Sequence, residues 1–175
     1  MKSQITIKKI QDFLIKGFQA MPMDDDTSRR MWWASLEVIQ KDFLSKNYQQ
    51  GGIWVASPLP ALNDKRFFNQ LHGWLWSPEG FPYFQKDDAV YLPANHSAKV
   101  KKDFDFTRNY KVLNLSQKDG YEPFLMIITP NFQCILSIAG EKDKKIFLVK
   151  CDEESLKITI ELMHEKLNQE NFEEG

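Results

Sequence analysis

Three histidines, two cysteines and a run of acids are the residues in this 175-residue chain whose types suit chemistry. His72, His96 and His164 stand far apart, with no pair at i, i+4, and Cys134 and Cys151 make no CxxC. A structural zinc site draws on ligands at short paired spacings, so its usual signature is missing. The strings of a nucleophile elbow, a phosphate loop or a dinucleotide-binding turn are missing too. Asp24, Asp25 and Asp26 invite a metal reading, but Thr27 and Ser28 follow them directly. That order suits a helix start, where acids favour the positive dipole end and short polar side chains cap free N–H groups. No catalytic residue, metal ligand or cofactor is assigned, and the expected class is non-catalytic.

The aromatic load is heavier: thirteen Phe, five Trp and five Tyr. Such rings mostly fill cores, and they also line pockets for flat or apolar ligands. HGWLW, residues 72–76, is the densest cluster, and its Gly73 leaves room for a backbone or ligand to approach closely. The candidate ligand-binding set is Trp54, His72, Trp74, Trp76 and Cys134, on the expectation that two central strands bring these side chains together. In that scheme the rings enclose the ligand and His72 supplies a polar contact. Cys134 and Cys151 otherwise read as two thiols inside strands, with a bridge between neighbouring strands as the unusual alternative.

The elements that must position these residues follow from apolar spacing. Ile7, Ile10, Leu14 and Phe18 fall three and four apart, a helix over about Ile5–Gln19 with Phe13 beside the stripe. A second helix is expected over Ser28–Lys46, its inward stripe Trp32, Leu36, Ile39 and Phe43, widened by Met31, Trp33 and Leu44. Adjacent tryptophans cannot both point straight inward, so Trp33 belongs at an edge, an interface or a pocket rim. After Gly51-Gly52 come a short strand at Ile53–Ala56 and others near Leu71–Trp76 and Ala89–Leu92, with a helical turn at Phe67-Phe68. Pro93–Asn109 reads as a surface loop, and YKVLNLS as a strand.

The most legible stretch is Pro123–Leu167. FLMIIT is apolar throughout, as a central strand covered on both faces must be. Pro130-Asn131 turns it, and QCILSI alternates like a half-buried antiparallel strand. A charged tip at Gly140–Lys144 leads into the return strand Lys145–Cys151. Asp152 or Ser155 caps a last helix on which Leu156, Ile160, Met163 and Leu167 recur at four, three and four. This is a coiled-coil seam or the stripe that packs a helix on its own sheet; under two heptads does not decide between them, and packing on its own sheet is the expectation. Those four residues are the candidate partner interface. His164 suits the negative end of that helix, and residues 168–175 read as a frayed acidic tail.

With 23 basic and 24 acidic residues, the net charge is -1. A nucleic-acid binder shows a basic excess or face, and the cluster Lys99, Lys101, Lys102 is followed at once by Asp103 and Asp105. No nucleic-acid partner is expected. MKSQITIKKI has no uninterrupted apolar run and no other stretch is long enough for a span, so a cytoplasmic protein without a signal peptide is expected.

FLMIITPNFQCILSI followed by KIFLVKCDEESLKITIELM resembles the DICT sensory domains of cyanobacterial two-component proteins and diguanylate cyclases. The likeness covers mainly Phe124–Leu167, with looser agreement at IWVASPLP and HGWLWS. It implies a signal-input role in the cytoplasm without catalysis, and it carries over no functional residue. The expected whole is one α+β domain over 1–175, with 1–22 as its N-terminal helical segment. A mainly antiparallel sheet of five to six strands carries two N-terminal helices and one C-terminal helix. The expected function is a sensory or regulatory module that binds a small ligand, a signalling protein or a second copy and relays through its terminal helix. A ligand-free interaction or assembly factor comes next, and a small enzyme with a fold-assembled site third.

Overall fold

Helix and strand follow one another as the apolar periods require. The computed structural model describes residues 3–45, 51–58, 71–78 and 110–173, with side chains through Asn171. In order these form α1 (Ile7–Ile15), α2 (Asp25–Val38) with a π-helical turn (Ile39–Leu44), β1 (Ile53–Ser57) and β2 (His72–Pro78). Then come β3 (Tyr110–Leu115), a 3-10 turn (Gln117–Asp119), β4 (Phe124–Ile128), β5 (Gln133–Glu141), β6 (Lys144–Lys150) and α3 (Glu153–Glu173). The strand expected at Ala89–Leu92, the Phe67-Phe68 turn, the loop over 93–109 and His96 lie outside the described residues.

The strands make one sheet in the order β3-β2-β1-β4-β5-β6. β1–β2 and β2–β3 are parallel, while β1–β4, β4–β5 and β5–β6 are antiparallel, so the architecture is α+β with a mostly antiparallel sheet. Both faces are covered. One carries Ile7, Ile10 and Leu14 of α1 and Leu156 and Met163 of α3 against Val55, Trp76, Phe124, Met126, Ile135 and Leu148. The other carries Trp32 and Leu36 of α2 and the π-turn against Trp54, Leu75, Leu125, Ile127, Cys134 and Leu136. β4 is the central strand its apolar run foretold, buried on both sides.

β5 departs from expectation. Ile135 and Ser137 are fully buried beside Cys134, Leu136 and Ile138, so the strand is covered on both faces and not half-buried. The polar residue is accommodated by α1: Gln11, itself buried, donates to Ser137 Oγ at 3.1 Å and to the Glu122 carbonyl at 3.0 Å. An alternating strand therefore met a helix that brings its own hydrogen-bonding group. The outer edge of β6 is closed by Met23, which exchanges both backbone hydrogen bonds with Lys145 at 2.8 Å.

Local signals set the helix ends. The Thr6 side chain accepts from the Lys9 N–H at 3.1 Å and starts α1. Asp24 accepts from the Thr27 N–H at 2.6 Å, which holds its carboxyl below the usual range, while Asp25 and Asp26 fill the first turn of α2. Asp152 does the same for α3 through the Ser155 N–H at 2.9 Å. Of the four residues expected inward on the second helix, Phe43 is 41% exposed and Leu44 is fully buried in its stead. The cause is the π-turn, in which the Ser45 N–H reaches back five residues to the Gln40 carbonyl. Wider winding moves the inward position from the fourth residue after Ile39 to the fifth. Phe43 then stacks on Phe132 with ring centroids 4.5 Å apart. Trp33, as expected, stands at an exposed edge.

Candidate functional site

Alternation along the strands decides where the five candidate ligand residues go. Trp54 pairs in register with Gly73, and Ile127 with Cys134, which puts Trp54 and Cys134 on the α2 face of the sheet. Trp74 and Trp76 lie on the opposite face beneath α1 and α3, and His72 shares their parity at the exposed start of β2. The sheet therefore separates the set into two groups, Trp54 with Cys134 and His72 with Trp74 and Trp76. The space above Gly73 is taken by the Trp54 indole, since a Cβ at that glycine would fall inside the ring. What the sequence offered as room for a ligand is room for a tryptophan, which also packs on Tyr110 at 5.6 Å.

Trp76 has a second role that only the fold reveals. Its indole N–H donates to Glu170 Oε1 at 2.9 Å, near the far end of α3. Glu170 accepts from Lys166 Nζ at 2.8 Å, and the same ammonium reaches Asp119 Oδ1 at 3.0 Å and lies 5.5 Å from the Trp76 ring. Asp119, 1% exposed, is filled by donors: the Ile7 N–H at 2.9 Å on Oδ1, and the Ser116 N–H at 3.0 Å and hydroxyl at 2.9 Å on Oδ2. Burial pushes its carboxyl up, but the Ile7 N–H, the Lys166 ammonium and the Ser116 N–H together reverse that and hold it below the usual range. The chain Trp76–Glu170–Lys166–Asp119–Ile7 thus joins β2, α3, the 3-10 turn and the first turn of α1. Nearby, the Ile5 N–H donates to Gln169 Oε1 at 2.9 Å.

These contacts correct the reading of a frayed tail for residues 168–173, because α3 runs helical through Glu173 and is pinned by Lys166, Gln169 and Glu170, while residues 174–175 lie outside the described residues. His164 consequently sits in mid-helix, 3.4 Å from Asn168 Nδ2, not near the carboxyl end. Of the four candidate partner residues, Leu156 and Met163 are buried on the sheet, Leu167 packs against the same core, and Ile160 is exposed. The seam is mostly spent on the chain's own sheet. The network escaped the sequence reading because Lys166 reads as a flank of Leu167. The available signal was a lysine falling three residues after Met163, inside the apolar stripe itself.

Cys134 and Cys151 are both free, the first buried and the second exposed. Among the described residues no group of three or more His, Cys, Asp or Glu side chains could hold a metal ion, and no helix is long and apolar enough to cross a membrane. No curated protein matches the chain, and no solved structure does. One family model matches residues 8–175, so the chain belongs to the family described as a domain of unknown function, DUF8628.

Proposed function

We propose that this chain is a non-catalytic sensory or regulatory module of the cytoplasm, which binds a small ligand or a signalling partner and relays the event through its terminal helix. The observation that carries this reading is the buried connection from Trp76 to Glu170 and on through Lys166 to Asp119. The tryptophan-rich strand β2 is the input and α3 the output. A shift of β2 that displaces the Trp76 indole breaks a charge-assisted hydrogen bond and leaves Glu170 with Lys166 as its partner. Coupling of this kind needs a contiguous element that takes two arrangements; the side-chain connection from β2 to α3 is contiguous, and exchange of α3 with and without ligand tests for the second arrangement. The likeness of Phe124–Leu167 to DICT sensory domains favours the same class.

Native mass spectrometry of the freshly purified chain, with amide exchange of α3 as the second readout, tests this. The expected result is a bound small molecule or partner whose removal changes protection over residues 163–171, and Glu170→Gln blunts that response. A bare chain whose α3 exchange responds neither to the small-molecule fraction nor to the protein fraction of a cell extract would defeat the proposal. The reading of a ligand-free interaction factor rests on Trp33, which is 58% exposed on α2. A stable protein partner lost in Trp33→Ala, with no small molecule bound, would favour it.

A further inference from the structure

The β5–β6 register carries an inference about the two cysteines that is independent of any ligand. Ile135 pairs with Lys150, so the next opposed residues along the ladder are Cys134 and Cys151. Antiparallel pairs alternate between hydrogen-bonded and non-hydrogen-bonded, and two bonds fix which kind this one is. Lys145 turns its N–H and carbonyl outward to Met23, and the Ile138 N–H points to Pro123 on the β4 side. Gly140–Lys145 and Ile138–Phe147 are therefore non-hydrogen-bonded pairs, and counting on by twos, so is Cys134–Cys151. Such pairs bring the Cα atoms to about 4.5 Å, with the side chains on one face and close together. A disulfide takes Cα separations of roughly 4.4–6.8 Å, so a ladder continued by one pair beyond Ile135–Lys150 puts Cys134 and Cys151 within the range a bridge needs. The Cys151 side chain is open to reagents while Cys134 is buried.

We propose that Cys134 and Cys151 form a reversible cross-strand disulfide that fastens the start of α3 to β5, the strand beside the sheet's edge. Cys151 is the point of attack. Its thiol loses a proton to solvent, and the thiolate attacks one sulfur of a low-molecular-weight disulfide such as oxidised glutathione. A mixed disulfide forms and one reagent thiolate leaves, taking a proton from water. Cys134 then gives up its proton, its sulfur attacks the Cys151 sulfur, and the second reagent thiolate departs. Two protein thiols are oxidised by two electrons, and one reagent disulfide is reduced to two thiols. The second step is the slow one: in the reduced chain burial, and after it the Cys151 thiol, pushes the Cys134 thiol up to about 12, and the burial persists once Cys151 is in the mixed disulfide. The bridge acts on α3 because Cys151 directly precedes Asp152, whose carboxylate caps that helix through the Ser155 N–H.

The test equilibrates the full chain in glutathione redox buffers and maps its thiols by mass spectrometry without reduction. The expected product is a monomer lighter by two hydrogens, with the Cys134 and Cys151 peptides linked, and slower amide exchange at Ser155 and Leu156. Cys134→Ala keeps the exposed thiol and should stop at a stable glutathione adduct on Cys151, whereas Cys151→Ser should take up none. A wild-type chain that ends as a Cys151 adduct, as a Cys151–Cys151 dimer, or with both thiols free in fully oxidised buffer overturns the proposal. Since the readout is the bond itself, its failure is separate from failure of the ligand-relay reading.

Discussion

Replacing Asp119 with alanine removes the anchor of the buried network, and the size of the effect can be worked from its contacts. The carboxylate accepts from the Ile7 N–H, the Ser116 N–H, the Ser116 hydroxyl and the Lys166 ammonium, and it is almost wholly buried. Breaking a buried ion pair from one side costs about 3–5 kcal/mol, because the remaining charge is left in a poor solvent. Here Lys166 retains Glu170 at 2.8 Å, whose side chain is partly open to water, and this moderates the charge penalty. Against that, two backbone N–H groups lose their acceptor, at about 1–3 kcal/mol for each that water cannot reach. These losses share one site and do not add fully. The expected destabilisation is about 3–4 kcal/mol, a large part of the roughly 5–15 kcal/mol by which domains are stable. Urea unfolding followed by tryptophan fluorescence measures it, with Glu37→Ala as control. That residue's pair with Lys41 is exposed and screened by water and salt, so its loss should be small beside that of Asp119. The sign with pH is also fixed. Asp119 titrates lower in the folded chain than in the unfolded one, so its contribution is complete above the unfolded carboxylate pKa of about 3.9. It is lost as pH falls through the folded value. Asp119→Asn should therefore show a shallower loss of stability on acidification below about pH 4. If Asp119→Ala costs no more than the exposed control, or the acid limb is unchanged in the asparagine variant, the network is not what holds α3.

Other outcomes follow from the packing. Gly73→Ala places a methyl group inside the Trp54 ring and should destabilise by about 1–3 kcal/mol, a penalty that should shrink when it is made on a Trp54→Leu background. Gln11→Leu removes the buried donor to Ser137 and the Glu122 carbonyl; the same unfolding assay should show a loss of about 1–3 kcal/mol. A Leu44→Ala variant should lose about 2–5 kcal/mol, and Phe43→Ala much less, reversing the order that i, i+4 spacing assigns them. Asp24→Ala should lower the urea midpoint as a lost helix cap, with no dependence on added divalent metal.

Much of the architecture was written in the chain because helix and strand periods are local. Apolar spacing alone places the three helices, the central strand Phe124–Ile128 and the antiparallel run into α3. The caps at Asp24 and Asp152 are local too, each needing only an N–H three residues on. What the sequence could not hold is which face each strand residue meets, since strand parity becomes a face only once register is set. Register put Trp54 and Trp76 on opposite sides of the sheet and filled the Gly73 gap from the neighbouring strand. It also set Ile135 opposite Lys150, so that Cys134 and Cys151 come next along the two strands. The ion pair of Asp119 with Lys166 spans 47 residues and the bond from Ile7 to Asp119 spans 112. No local window contains both partners, and each partner alone looks like an ordinary surface charge. The sequence determined the elements, and the tertiary structure decided which of their polar groups are buried together, because only packing removes the water that would otherwise satisfy them.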